Sequence, residues 1–340
     1  MEDKVIKMEH GAGGELMQNL IKDLIIKNIE KKEAGGVGLD ELDDGGSIPL
    51  NNFRGNVVLT TDSHIVKPLF FPGGDIGKLA VSGTVNDLSV MGAKPVALSS
   101  SIVVEEGFDM NKIEEIMKSI NKTSKEADTP IITGDTKVME KEEISDLIIN
   151  TTGIGFCKNP VRDSGLNSGD KLIITGPIGR HGISLLSFRE GFTFESDLES
   201  DVQPINSLID SALKAGGVTA MKDPTRGGLA TALNEMASKS NLGLLIKEDK
   251  IPLTDGVESA SSILGIDPMN VANEGIAIIG VKKNKAEDVL SELKKQKKGK
   301  KAKIIGKAVK ENKRKVVLET KVGGKRFLEA PDGDPVPRVC

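Results

Sequence analysis

The sequence predicts an α+β protein: two mixed α/β domains in series, the second an α/β sandwich, closed by a short mobile tail. Three observations predict this. The chain has 340 residues, more than one average domain and about right for two. Short apolar runs that read as strands alternate with stretches of helical periodicity in both halves. Between the halves lies KNPVRDSGLNSGD, dense in turn residues, which reads as a boundary. The predicted layout is an N-terminal helical and glycine-rich arm (1–44), a first α/β domain (45–157), a second (158–328) and a tail (329–340).

The arm begins with HGAGGELMQNLIKDLIIKNI, a glycine turn feeding a helix with Leu16, Leu20, Leu24 and Ile25 at helical spacing. EAGGVGLDELDDGGSIPLNN is polar and glycine-rich and reads as a loop. NVVLTTDS reads as a strand ending at Asp62. In FFPGGDIGKLAVSGTVNDLSVMGAKP, Asp75 suits a helix start, and Gly92 and Pro95 suit its end. VALSSSIVVEE is a strand. Ile113, Ile116, Met117 and Ile120 mark one face of an amphipathic helix. TPIITGD reads as a short buried strand ending at Asp135, and ISDLIINTTGIGFC as another strand. In the second half KLIITGPIG, LGLLIKE, GIAIIGV, AKIIGKAV and KVVLE read as strands. HGISLLSFRE, PINSLIDSALKAGG and GGLATALNEMASKS read as helices.

Composition excludes several classes. Aromatics are 3%, with no Trp or Tyr, so the cores must be aliphatic. The net charge of −4 argues against general nucleic-acid binding. The basic run KKQKKGKKAK (Lys294 to Lys303) has no interleaved aromatics to stack bases and reads as a solvated turn after a helix. No run approaches the roughly 20 apolar residues of a membrane span. The charged start MEDKVIKMEH lacks a signal-peptide core, and two cysteines make no disulfide framework. A reducing cytoplasm is the expected compartment.

Chemistry concentrates at turns and strand ends. Asp43 and Asp44 in LDDGG, Asp62 in TTDS, Asp87 in VNDLS and Asp135 in TGDTK are carboxylates that could converge on a hard cation. For any one of them alone, a turn or capping role is the commoner one. HGAGG, with Gly11, Gly13 and Gly14, offers backbone N–H groups to an anion or serves only as an entry turn. DPTRGGLA is a second such place, or a tight helix start. A lone Glu274 before a strand is more often structural. GGDIGKL lacks the spacing and the Ser or Thr of a P-loop, and no GxGxxG follows a strand. Cys157 sits in an apolar strand and reads as a small hydrophobe. Cys340 differs, because it ends the proline-rich stretch PDGDPVPRVC. Extended from Glu329, that stretch reaches roughly 30–40 Å.

Together these motifs resemble the HypE family of hydrogenase maturation proteins. HGAGG, the block TTDSHIVKPLFFPGGDIGKLAVSGTVNDLSVMGAKP, GDTKV, DPTRGGLA, NEG and the terminal PRVC follow that family's order over nearly the whole chain. The ending is the most specific element. The acidic and glycine motifs alone reach only the wider ATP-binding superfamily of aminoimidazole ribonucleotide synthetase, selenophosphate synthetase and thiamine-monophosphate kinase. Gly46 stands where relatives often carry Ala.

The resemblance implies a homodimer whose N-terminal mixed sheets pair across the interface, with ATP in a groove fed by both halves. It implies Mg²⁺ and ATP-phosphate ligands at Asp44, Asp62, Asp87 and Asp135, with Asp43 a further member. It places Lys137 and Glu274 at the dehydration step and makes Cys340 the modified thiol. The implied activity is ATP-dependent dehydration of a carbamoyl group on that thiol to a thiocyanate. The cyanide is destined for the iron of nickel–iron hydrogenase. The carbamoyltransferase HypF would load the thiol, and the HypC–HypD complex would accept the cyanide. Two rivals are a small-molecule ATP kinase or synthetase like thiamine-monophosphate kinase, which would not need Cys340, and a non-catalytic docking module.

Overall fold

The computed structural model describes residues 14–19, 22, 37, 39–44, 46–50, 55–140, 142–191, 198–331 and 333. Gly11, Gly13 and Cys340 therefore lie outside the described residues, as does most of the arm and of the tail.

The first half is one five-stranded mixed sheet. It contains β1 (Gly46–Leu50), β2 (Gly55–His64), β5 (Lys94–Glu105), β6 (Ile131–Met139) and β7 (Leu147–Cys157) in the order β1-β2-β7-β5-β6. Only β5 and β6 run parallel. The small pair β3 (Phe70–Phe71) and β4 (Gly74–Asp75) precedes α2 (Ile76–Val90). Asp75 caps α2 as expected, accepting the N–H groups of Gly77 and Lys78 at 2.7 and 3.0 Å. Together with α3 (Met110–Glu126), α2 covers one face of the sheet. All of α2 is buried except Lys78 and Asp87. The opposite sheet face stays open and carries Leu59, Val96, Ile154 and Phe156, each about two-fifths exposed.

The second half is a seven-stranded sheet with helices on both faces. Its order is β14-β13-β10-β12-β8-β11-β9, from β8 (Lys171–Ile174), β9 (Val218–Lys222), β10 (Gly243–Lys247), β11 (Ile278–Val281), β12 (Lys303–Val309), β13 (Val316–Glu319) and β14 (Lys325–Phe327). Leu208, Ile209 and Ala212 of α5 (Asn206–Ala215) and Val289 and Leu293 of α8 (Ala286–Lys295) pack with Ile173 and Ile279. Leu229, Leu233 and Met236 of α6 (Gly228–Ser240) pack with Leu172, Ile174 and Ile278. Neighbouring β-residues point to opposite faces, so each strand feeds two cores. A further core joins the halves: Val66, Phe71, Ile76 and Leu79 pack with Ile183 and Leu186 of α4 (Arg180–Arg189) and Val257 of α7 (Asp255–Leu264).

Three elements differ from the sequence expectation. GSIPL, expected within a loop, is strand β1, and Pro49 is tolerated because β1 is an edge. Strand β6 does not stop at Asp135 but continues to Met139, carried by its ladder with β5. Strands β9 and β14 and helix α7 carry no clear sequence signal, being short or polar. The basic run does turn out of α8 into β12, and within it Lys298 pairs with Glu126 of α3 at 2.7 Å.

His181, at the start of α4, sits in the shared core. Its Nδ1 lies 2.8 Å from Ser200 Oγ and its ring meets Phe71 edge-on at 5.6 Å. Burial, with Arg189 adding repulsion, pushes its pKa down to about 3. The folded protein thus refuses a proton that the unfolded chain accepts near pH 6.5. Stability from this site is complete above pH 6.5 and is lost as pH falls toward 3. Between pH 7.5 and 5.5, urea melts should show about 1.4 kcal/mol more loss in the wild type than in His181→Gln.

Candidate active site

A cavity of about 200 Å³ opens where the halves meet, lined by Asp44, Thr60, Asp62, His64, Asp87, Asp223, Thr225, Arg226 and Glu274, among others. Strand periodicity supplies one wall. Alternate residues Thr60, Asp62 and His64 of β2 point toward α2. Helical periodicity supplies the facing wall, since Gly83 and Asp87 are one turn apart on α2. Gly83 leaves room: a Cβ there would lie 3.0 Å from His64 Cε1 and 3.5 Å from Asp62 Oδ2.

Hydrogen bonds set these groups. The Thr60 hydroxyl lies 2.8 Å from Asp87 Oδ2 and 3.3 Å from the Asp44 carbonyl. Asp62 Oδ1 accepts the Ser63 N–H at 2.8 Å, and its Oδ2 lies 3.6 Å from His64 Nε2.

The second half contributes two loops. After β9 the chain runs Asp223-Pro-Thr-Arg226, then Gly227 and Gly228 in left-handed conformation at φ 69° and 61°. A Cβ on Gly228 would lie 2.5 Å from the Val271 carbonyl, so only glycine lets this loop close on residues 269–271. Helix α6 then starts without a side-chain cap. The other loop carries Glu274. Asn273 binds both loops together: its Nδ2 donates to Pro224 and Val271 carbonyls at 2.9 and 3.0 Å, and its Oδ1 accepts the Gly179 N–H at 2.6 Å. The buried carboxylate of Asp201 accepts the N–H groups of Glu274 and Gly275 at 3.2 and 3.1 Å.

Asn86, next to Asp87, joins the two halves. Its Nδ2 donates to the carbonyls of Gln203 and Glu274 at 3.1 and 3.2 Å, and its Oδ1 accepts the Ile205 N–H at 2.8 Å.

Five carboxylates in one small cavity perturb each other. Burial, then Asp223, Asp44 and Asp62, hold Asp87 well above the usual carboxylate range, against the Thr60 hydroxyl. Burial and then Asp44 push Asp223 up to about 7, opposed by Lys222. Burial, then Asp223, Asp62 and Asp201, hold Glu274 well above its usual range, opposed by Arg226. Burial pushes His64 down, so it stays neutral at physiological pH.

The expected residues are thus partly assembled. Asp44, Asp62, Asp87 and Glu274 line one cavity. Asp43 does not line it: it is buried behind Asp44 with Asp163 and Lys239, and burial, then Asp163, pushes it up to about 8. Asp135 and Lys137 do not line it either. Both are exposed on edge strand β6, opposite Ser101 and Val103, on the open sheet face. Gly14 lies against the root of the tail, where a Cβ would be 2.8 Å from Gly333 N and 3.1 Å from the Pro331 carbonyl. Asp223, Arg226, Thr60, His64, Asn86, Asn273 and Asp201 have no role in the sequence reading. The glycines of DPTRGG dominate its motif, and the acid at its strand end is the signal that could have pointed to Asp223.

The oxygen-only donors suit a hard cation such as Mg²⁺, and their mutual repulsion is what such a cation would relieve. Among the described residues, no three acids or histidines already close to coordination distance.

Both halves match a known family pair. Residues 42–157 match the AIR synthase related protein N-terminal domain, and residues 167–319 its C-terminal domain. The fold and the acidic cavity between its halves thus define a member of the AIR synthase related class. The relatives narrow this. The chain is 55% identical to a hydrogenase expression/formation protein of Methanocaldococcus jannaschii, covering 99% of this chain and 100% of that one. It is 39% identical to carbamoyl dehydratase HypE of Azotobacter vinelandii, covering 98% and 97%. Among solved structures it resembles the HypE–HypF complex (TM-score 0.85, 39% identity, 94% and 100% covered) and HypE with ATP (TM-score 0.81, 36% identity, 99% and 100% covered). The chain belongs to the HypE family of carbamoyl dehydratases, ATP-dependent enzymes of hydrogenase maturation.

Replacing Asn86 by the near-isosteric Leu takes the side-chain partner from the Gln203 carbonyl and the Ile205 N–H, while the Glu274 carbonyl keeps the Gln203 N–H at 3.4 Å. Each unpaired group costs about 1–3 kcal/mol. We expect Asn86→Leu to lose about 2–4 kcal/mol in urea melts, and turnover to fall in protein that is still folded.

Proposed function

We propose that this chain binds ATP in the acidic cavity and dehydrates a carbamoyl group carried on its own Cys340 thiol. The observation that carries this is the pairing of Asp44, Asp62 and Asp87 from one half with Asp223, Arg226 and Glu274 from the other. Phosphate and cation chemistry fits the first set. Proton transfer fits Glu274.

A primary amide keeps its oxygen because hydroxide leaves poorly. The ATP γ-phosphoryl group is transferred to the carbamoyl oxygen, releasing ADP. Loss of the amide protons then forms the C≡N bond and breaks C–O, and phosphate leaves. The products are protein thiocyanate, ADP and phosphate. Asp44, Asp62 and Asp87, joined by Asp135 from the partner protomer, would hold Mg²⁺, which would neutralise phosphate charge during transfer. Glu274 takes the amide proton, with its backbone held by Asn86 and Asp201. Arg226 lines the same cavity and supplies positive charge to phosphate oxygens.

The length of the tail beyond Gly333 and the place where it starts support the thiol as carrier. Beside its root, Gln18 of the short helix α1 (Glu15–Asn19) hydrogen-bonds Glu235 at 3.1 Å. Gln18 also lines a hollow that shares Asp223, Thr225 and Arg226 with the acidic cavity. Seven residues follow Gly333 in the sequence, and seven residues reach at most about 23 Å when extended.

The open apolar sheet face supports a homodimer. Asp135 and Lys137 stand on that face, so we assign them to the site through the partner protomer, with Lys137 stabilising oxygen or phosphate. HypF as carbamoyl donor, HypC–HypD as acceptor and a cytoplasmic setting complete the reading. Among the described residues no helix is long and apolar enough to cross a membrane.

Mass spectrometry of the C-terminal peptide tests this. Incubated with HypF, carbamoyl phosphate and ATP, Cys340 should gain a carbamoyl group, which then loses one water only when this chain can use ATP. Glu274→Gln should keep the adduct and slow water loss by at least about 100-fold. An unmodified Cys340 in an active preparation overturns the proposal.

A further inference from the structure

Two lysines lie behind the acidic cavity, and the reaction above uses neither. Lys222, the last residue of β9, is 10% exposed at its side chain. Its Nζ lies 2.9 Å from Asp44 Oδ1, 3.2 Å from Glu235 Oε2 and 3.6 Å from Asp163 Oδ2. Lys239 of α6 lies 2.7 Å from Asp163 Oδ2 and 3.6 Å from Asp43 Oδ1, and donates to the Leu42 carbonyl. Residues 42–44, which precede β1, are thus held by side chains of the second domain. The two lysines differ in one respect. Lys239 grips groups that do not line the cavity, whereas Lys222 grips Asp44, which does.

A buried ion network adds little to stability compared with apolar residues of the same volume. What it supplies is a fixed position. We propose that Lys222 is the positioning residue of this site: it holds the Asp44 carboxylate in register with Asp62, Asp87, Asp223 and Glu274. The second domain thereby completes the wall that binds nucleotide phosphate. This rests on the reading of Asp44 as part of that wall.

The test is calorimetric titration of the full-length protein with a non-hydrolysable ATP analogue and Mg²⁺, alongside urea melts. Lys222→Gln should weaken analogue binding by about tenfold. Lys222→Arg keeps the charge but not the head-group geometry and should lose about threefold. With Asp44→Asn also present, both effects should shrink below about twofold, because coupled residues are not additive. Lys239→Gln should lower the urea midpoint yet keep affinity within about twofold. Equal losses on both Asp44 backgrounds, or a loss with Lys239→Gln matching that of Lys222→Gln, overturn the proposal. If Lys222→Gln does not fold, the Lys222→Arg pair decides alone. If Asp44→Asn by itself leaves binding unchanged, it is the reading of the wall that fails, and the positioning role falls with it.

Discussion

One buried amide governs the arrangement. Asn86 belongs to the first domain, but its three partners belong to the second. Both the donor and acceptor ends of that side chain are used, so it fits one relative placement of the halves and no other. The next residue, Asp87, projects into the cavity. One of the three bonds ends on the carbonyl of Glu274 itself. Asn86 thereby ties the helix that carries Asp87 directly to the backbone of Glu274. Asn273 and Asp201 repeat the device from the other side, each binding Glu274 or its neighbours to a separate loop.

Electrostatics explains what such rigidity is for. Five acids around one small cavity repel each other, and burial removes the water that would screen them. Two opposing adjustments are visible. The acids hold protons more readily, since Asp87, Asp223 and Glu274 all have raised pKa values. Cations are built in, with Lys222 behind and Arg226 in the cavity. Burial is the largest single cause in raising each of these acids, and the built-in cations do not cancel the rise. The residual negative charge favours a metal–nucleotide complex over a bare anion. Asp43 shows the limit of the pattern, since it lies next to Asp44 but outside the cavity, where its carboxylate is 3.6 Å from Lys239.

The broad fold was legible because alternation of apolar runs survives in one sequence. α2, α3 and most second-domain strands follow period and capping signals. β1 was not legible, because Gly46 and Pro49 signal a loop and only the neighbour β2 makes them a strand. β9 is short and was hidden between two helices. Of the site, the acids before or after glycine, Thr or Asn stood out by residue type. Asn86, Asn273 and Asp201 did not, because their role lies in contacts across 49 to 188 residues of chain. The displacement of Asp135 and Lys137 from the cavity also had no sequence signal. It follows from strand register, where moving one residue along reverses the face.

The helix that carries Asn86 and Asp87 is poorly suited to forming alone. IGKLAVSGTVNDLSV contains two glycines, four β-branched residues before Asn86, and few strong helix formers. Its helicity comes from contact: Leu79 and Val85 enter the core shared by both halves, Leu88 the core under β2, and Val90 the core of the second sheet. Packing, more than local propensity, therefore keeps this helix formed. Loosening any one of the three cores would loosen the turn that carries Asn86 and Asp87, so the acidic wall inherits the stability of both sheets at once.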